Sequence, residues 1–348
     1  MLFSHKILLW YSQNKRTLPW RGSIDPYKIW LSEIILQQTK VAQGTPYYLK
    51  FVSSFPTVFD LANAPQEKIL KLWQGLGYYS RARNLHEAAK TVLLDYNGKF
   101  PETYKELIKL KGIGDYTASA IASICFNAPE AVVDGNVYRV LSRYFGVDTP
   151  INSTEGVAYF KDLAKQLIDR ERIRDYNQGI MEFGAMQCVP KNPKCKDCPL
   201  QGSCVALKEN KVSVLPVKLK KTKIKKRYFN YIVPIRRDQK GEIYTILKQR
   251  IGKGIWQDLW EFPLIETEKE TFIENMEEDI PNFLDLKSDF SIHIYKDTIV
   301  HKLSHQHLYT KFWIVEVEDE FNNTIKVCDL EKYAVPVLIA DFIKTFKF

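Results

Sequence analysis

No apolar run in the 348-residue sequence approaches the roughly 18 uncharged residues that a membrane helix requires, so no membrane is expected as a partner. Met1 to Leu9 includes His5 and Lys6 and lacks both a long apolar stretch and a small-residue cleavage site. The expectation is therefore a chain that stays in the cytoplasm. No internal repeat is present, which excludes a repeat architecture. Histidine and cysteine are scarce, six of each. In a cytosolic chain the thiols are not expected to pair as disulfides. Fifty basic against 41 acidic residues leave +9, an excess that favours nucleic acid only if it gathers on one face.

What is present divides into two grammars, and the length suffices for two cores. From Phe3 to about Leu207, apolar residues recur at helical spacing, as in Ile29-Trp30-Ile34-Leu36 and Val137-Leu141-Tyr144. Breaks fall at Pro65, Asn97-Gly98, Pro101 and Pro150, so residues 1–207 read as all-α, with roughly ten short helices. Residues 208–227 read as a basic connector, equally a solvated linker or a stretch lying near phosphates. Residues 228–348 switch to short β-rich runs, Tyr231–Ile235, Tyr244–Leu247 and Thr310–Val317, with helices expected near Thr271–Glu278 and Val337–Thr345. That predicts a small α+β domain.

Four of the six cysteines fall in Cys188-x6-Cys195-x2-Cys198-x5-Cys204. Four soft thiolates in one loop suit iron–sulfur or zinc; zinc ribbons more often use two Cys-x2-Cys pairs, and only one is present. Cys125 and Cys328 stand alone and read as packing thiols. The string Leu110-Lys-Gly112-Ile-Gly114-Asp-Tyr116 places a Gly-x-Gly turn between helical segments. It is either an ordinary helix–helix turn or a phosphate grip, since glycines allow close backbone approach and the following helix start offers free N–H groups.

Cleavage of a glycosidic bond calls for an acid at the leaving group and a negative charge facing the cationic sugar. Glu33 lies in Ile29-Trp-Leu-Ser-Glu33-Ile-Ile-Leu-Gln37-Gln38-Thr39, among apolar neighbours. Desolvation there would raise its pKa; a glutamate at the edge of a helix stripe is the plainer reading. Asp134 precedes Gly135-Asn136-Val-Tyr-Arg139, where a helix N-cap is the obvious role and is compatible with a sugar-facing one. Gly75-Leu76-Gly77-Tyr78-Tyr79-Ser80-Arg81-Ala-Arg83 offers a small-residue turn tipped with aromatics, as a wedge for opening a duplex would, or as core packing would. His301-Lys-Leu303-Ser304-His305-Gln-His307 reads as a hairpin with polar tips rather than a metal site.

These strings together resemble the MutY family of adenine glycosylases, within the helix-hairpin-helix (endonuclease III) superfamily, over nearly the whole chain. The resemblance implies an all-α helix-hairpin-helix glycosylase domain with one Fe4S4 cluster on Cys188, Cys195, Cys198 and Cys204. Beyond it, residues 228–348 resemble that family's Nudix-like lesion-recognition domain. The implied activity is excision of adenine opposite 8-oxoguanine, or in G:A pairs, from double-stranded DNA by a monomer. Glu33 falls on the family's acid and Asp134 on its sugar-facing carboxylate. Tyr116 and Asn136 match residues that orient them, and Arg21 and Trp20 match adenine-pocket positions.

Tyr116 stands where bifunctional relatives carry a nucleophilic lysine, so a monofunctional enzyme is implied. Gln37, Gln38, Thr39, Leu76 and Tyr78 match residues at the opened duplex. Gly112 and Gly114 match the phosphate-gripping turn. Arg81, Arg83 and the loop lysines Lys191, Lys194 and Lys196 are expected at phosphates. Ser304 and His305 match the lesion-reading turn, with Leu303 where the family has phenylalanine. Gly254-Ile-Trp-Gln-Asp-Leu-Trp-Glu-Phe-Pro263 begins like a Nudix signature, but no Arg-Glu-x2-Glu-Glu follows, which implies recognition without hydrolysis. The rival readings are an endonuclease III-like or pyrimidine-mismatch glycosylase and a cluster-bearing DNA binder without turnover.

Overall fold

The computed structural model describes residues 2–219 and 224–348; positions 220–223, in the middle of the basic connector, lie outside the described residues. The chain divides into two compact units, Met1–Ala64 with Arg83–Lys220, and Pro65–Ala82 with Lys221–Phe348. Among the described residues no helix is long and apolar enough to cross a membrane.

Up to Lys208 the chain forms twelve described α-helices, two of only four residues. The Ile173–Met186 helix is central to its unit: it packs against Phe3–Asn14, Asp115–Phe126 and Gly135–Phe145. Trp10 meets Phe183 edge-on at 5.0 Å across the first of these contacts. The Pro26–Leu36 helix starts with Asp25 accepting from the Tyr27 N–H at 3.0 Å and Pro26 at its first position, where no N–H is needed. Tyr27, Ile29, Trp30, Leu31, Ile34 and Ile35 are all buried, so this helix is enclosed on nearly every side. Each such side chain stabilises the fold by about 1.5–3 kcal/mol. Glu33 is its lone carboxylate.

The second unit is built on a mixed sheet. Its strand Lys225–Arg237 runs parallel to Gln306–Val317, in register from Lys225 opposite Gln306 to Ile235 opposite Glu316. Ile243–Ile246 and Leu264–Thr267 add antiparallel to the first, Phe290–Ile294 and Ile299–Lys302 to the second, and Thr324–Lys326 to Ile243–Ile246. The Ile273–Leu284 helix covers one face, setting Met276 and Ile280 on Ile232, Trp313 and Val315. Val337–Thr345 covers the other, where Phe342 stacks on Phe312 at 4.2 Å. This is the expected α+β arrangement, with the first helix extending to Leu284.

A contiguous reading of the chain does not anticipate the place of Pro65–Ala82. This segment belongs to the second unit: Lys71 Nζ donates to the Tyr333 carbonyl at 2.9 Å, and the Val335 N–H donates to Gln74 Oε1 at 3.3 Å. Its helix Gln66–Trp73 has Ile69, Leu70 and Trp73 buried.

Candidate active site

Glu33 leaves the enclosed Pro26–Leu36 helix toward a cleft of about 530 Å³ in the helical unit, a size suited to a small organic group. Tyr116, in the first turn of Asp115–Phe126, donates its hydroxyl to Glu33 Oε2 at 2.6 Å, with Met181 Sδ 3.2 Å from the same hydroxyl. Burial pushes the Glu33 carboxyl up from 4.5 to about 7; the Tyr116 bond opposes the shift and the charge of Asp134 adds to it. At neutral pH such a group holds its proton part of the time, as a general acid must.

Asp134 caps the Gly135–Phe145 helix, as its place in the sequence suggests, and it also lines the cleft. Oδ1 accepts from the N–H groups of Asn136 and Val137 at 2.9 and 2.8 Å, while Asn136 Nδ2 donates to Oδ2 at 2.7 Å. Burial raises its pKa, opposed by these bonds and by Arg139. Arg139 donates to Asn136 Oδ1 at 2.8 Å and to the carbonyls of Gly184 and Cys188 at 2.6 and 2.7 Å. With its oxygen so held, the Asn136 amide has its nitrogen aimed at Asp134. Gly184 permits this approach, since a Cβ there would lie 2.6 Å from that of Asn136.

The cleft gathers nine of the residues singled out by sequence: Trp20, Arg21, Glu33, Gln37, Gln38, Thr39, Tyr116, Asp134 and Asn136. Two it also gathers were missed. Glu182 is buried and clamped by Arg16, through Nε and NH2 at 2.7 Å each, and by Arg21, through NH2 at 2.6 Å. Burial opposes its ionisation, but the two guanidinium groups win and hold its pKa at about 2. Arg21 therefore faces the cleft as half of an ion-paired fork. An acid inside the apolar window Gly179-Ile-Met-Glu182-Phe carries the same signal that marked Glu33; its partners, 161 and 166 positions away, carry none.

The four clustered cysteines line a second, largely apolar cavity together with Val140, Phe183, Leu200 and Leu207. Burial is the largest cause of the raised pKa of Cys195, Cys198 (to about 11) and Cys204, and neighbouring thiols add to it, so metal cations are needed to hold them as thiolates. Among the described residues no three His, Cys, Asp or Glu side chains meet as a site for a single ion. Arg143, from the same helix that Asp134 caps, donates to the carbonyls of Val189 and Pro190 at 2.8 and 3.0 Å and lies 3.5 Å from Cys188 Sγ. The donor set and its enclosure fit an iron–sulfur cluster.

The remaining residues lie outside the cleft. Gly112 turns the hairpin at φ +76°, and a Cβ there would strike Asn84 at 2.7 Å; Gly114 caps the Asp115–Phe126 helix. Arg83 lies in the helical unit. In the second unit, Tyr78 is 45% exposed at the tip of the Gly75–Gly77 turn, while Leu76 is buried. Arg81 departs from the expected phosphate contact: it is buried between the Trp73 and Tyr78 rings and donates to the carbonyls of Leu76 and Gly77. Desolvation lowers its pKa to about 10. It builds the turn from within. Ser304 and His305 are exposed in the turn joining Ile299–Lys302 to Gln306–Val317, with Ser304 Oγ 3.3 Å from His305 Nδ1.

Residues 31–166 match the HhH-GPD superfamily of base excision DNA repair proteins, and 232–345 match a NUDIX domain. The chain is 37% identical over 325 residues to an adenine DNA glycosylase of Buchnera aphidicola, covering 90% of this chain and 86% of that one. It belongs to the adenine DNA glycosylase family. A human member is 44% identical over 213 residues, 59% of this chain and 39% of its own length. Among solved structures, a thermostable thymine-DNA glycosylase is similar at TM-score 0.56 and 33% identity, covering 60% of this chain and 95% of that one. An endonuclease III–DNA complex, at TM-score 0.52 and 22% identity over 60% of this chain and 99% of that one, shares the fold. Family membership explains why a helical unit and a Nudix-like sheet share one chain. It leaves the work of each residue to the chemistry of the cleft.

Proposed function

We propose that this chain excises adenine from double-stranded DNA, opposite 8-oxoguanine and in G:A pairs, and acts as a monomer. The observation that carries the reading is Glu33, with a pKa near neutrality, in the same cleft as Asp134. Adenine swings out of the duplex into the cleft, and Glu33 passes its proton to N7. The C1′–N9 bond then breaks with its electron pair leaving on the base. Asp134, held by three N–H donors, faces the cationic sugar. Water adds at C1′ and loses a proton, giving an abasic site. The described lining of the cleft includes no lysine, which supports base removal without a Schiff base and an intact strand.

Cys188, Cys195, Cys198 and Cys204 would hold one Fe4S4 cluster, whose contribution is to order the loop 188–204. Exposed Lys191, Lys194 and Lys196 on that loop then face phosphates, as do Arg83 and the Gly112–Gly114 turn. Tyr78 fills the opened step while buried Leu76 stays in the packing of the turn, Trp20, Arg21 and Glu182 surround the base, and Ser304 and His305 read the damaged guanine. In this reading 1–207 is the glycosylase domain except that Pro65–Ala82 joins the second unit, 208–227 is the connector except that Lys225–Arg227 already belong to the first strand of the sheet, and 228–348 is the recognition domain. A duplex panel varying target and opposite base, with free base detected directly, should release adenine alone, fastest opposite 8-oxoguanine. Release of thymine, or strand nicking trapped by borohydride, would replace this reading by one of its rivals.

A further inference from the structure

The Tyr116 side chain carries a single hydroxyl hydrogen and has two acceptors within reach of it. Glu33 Oε2 lies 2.6 Å from the phenol oxygen, and Met181 Sδ lies 3.2 Å from it. Burial, with the charges of Glu33 and Asp134, holds the phenol well above its usual pKa, so that hydrogen stays in place near neutral pH. Met181 belongs to the Ile173–Met186 helix, is half-buried, and lines the same cleft as Glu33. A thioether sulfur only accepts, and so does a carboxylate anion. The number of hydrogens present therefore decides which of the two contacts is a bond.

With Glu33 ionised, one hydrogen serves both neighbours. The charged oxygen takes it, because a charge-assisted bond is roughly twice as strong as a neutral one. The sulfur loses little, being a weak acceptor. With Glu33 protonated, a second hydrogen enters the site. The carboxyl O–H can then donate to the phenol oxygen while the phenol O–H turns to Met181 Sδ, and both buried donors are satisfied. Without the sulfur, that second arrangement leaves the phenol hydrogen unbonded.

The other titratable groups around Glu33 do not replace the sulfur. Asp134 faces it as a second carboxylate, and Arg16, Arg21 and Glu182 are bonded to one another in the cleft wall. Cys125, further along the Tyr116 helix, is a thiol that burial keeps neutral. The Val41–Ser54 helix, packed on the Glu33 helix, brings Tyr47 and Tyr48, whose phenols burial also keeps neutral, and the exposed Lys50.

We propose that Met181 is a positioning residue for the acid: its sulfur takes the Tyr116 hydrogen while Glu33 is protonated, and yields it to Oε2 as Glu33 parts with its proton. A donor thus arrives where negative charge develops. The use of this switch in excision rests on the reading of Glu33 as the acid. The switch itself is a property of the free protein, and is tested there.

Glu33 is titrated in the full chain without DNA, by carboxyl-carbon NMR of protein labelled in glutamate, its line assigned by loss in Glu33→Gln. Met181→Leu keeps the volume and removes the acceptor. The protonated form loses a bond that the ionised form never used, so the Glu33 midpoint should fall by about half a pH unit, the size of a weak neutral hydrogen bond. In a Tyr116→Phe background there is no hydroxyl to turn, and Met181→Leu should leave the midpoint in place. A midpoint unmoved by Met181→Leu alone, or one that falls equally in both backgrounds, overturns the proposal and leaves the sulfur as packing. In single-turnover excision the alkaline limb should fall by the same half unit. A midpoint that moves as expected in a protein that releases no adenine would remove the excision reading and leave the switch standing.

Discussion

Glu33→Gln is the substitution whose consequences are most fully specified by the cleft. Glutamine keeps the shape of the side chain and can accept the Tyr116 hydroxyl, but has no proton to give. Loss of a general acid costs about 10²–10⁴ in single-turnover excision, while duplex affinity should change little. The same change has a thermodynamic signature independent of catalysis. In the unfolded chain the carboxyl ionises near 4.5, in the folded chain near 7. Below 4.5 both states hold the proton, and the site carries no penalty. Between the two values the unfolded state releases its proton first, so wild-type stability falls as pH rises.

Above 7 the folded protein bears the full cost of a buried anion, roughly 3 kcal/mol for a shift of that size. Glutamine never ionises. The gain of the variant over the wild type should therefore grow from about 1 kcal/mol at pH 5 to about 3 kcal/mol above pH 8, read as a divergence of urea midpoints between the two pH values. A gap between the two proteins that stays constant from pH 5 to 8.5 would show that Glu33 is an ordinary carboxylate. That result, or near-normal excision by the variant, removes the acid from the mechanism.

Tyr116→Phe deletes the donor that opposes the rise of the Glu33 pKa. The acid then stays protonated to higher pH, so the alkaline limb of the kcat/KM profile should move up by about one pH unit. Cys198→Ser should lower iron and sulfide well below about four of each per chain by colorimetric assay, and open the loop 188–204 to protease. Arg81→Ala removes two carbonyl bonds and a cation from between two rings, and should cost roughly 3 kcal/mol of stability by denaturant titration. Arg81→Lys, which lacks the planar fork, should recover only part of it.

Local order was legible wherever it depends on neighbours in the chain. The spacing of four cysteines, the Gly-x-Gly turn and the change from helical to β grammar near residue 228 are short-range patterns. Each constrains a segment whatever it packs against. Asp134 could be read as a helix cap because a cap needs only the next three residues. The registry of distant segments was not legible, because periodicity says which side of a helix is apolar and not which helix it will meet. Tyr116 reaches Glu33 across 83 positions, and Arg16 reaches Glu182 across 166. Nothing local anticipates either.

The sequence on its own determined the inventory: two carboxylates in unusual windows, four thiols in one loop, a helical half and a sheet half. Tertiary structure decided how those groups behave. Two glutamates that look alike in the chain end at about 7 and about 2, because one is desolvated beside another carboxylate and the other lies in a fork of guanidinium groups. An arginine that looks ready for phosphate is instead sealed inside a turn. Proton affinity and exposure depend on what surrounds a side chain in space, and a linear order of residues does not contain that information.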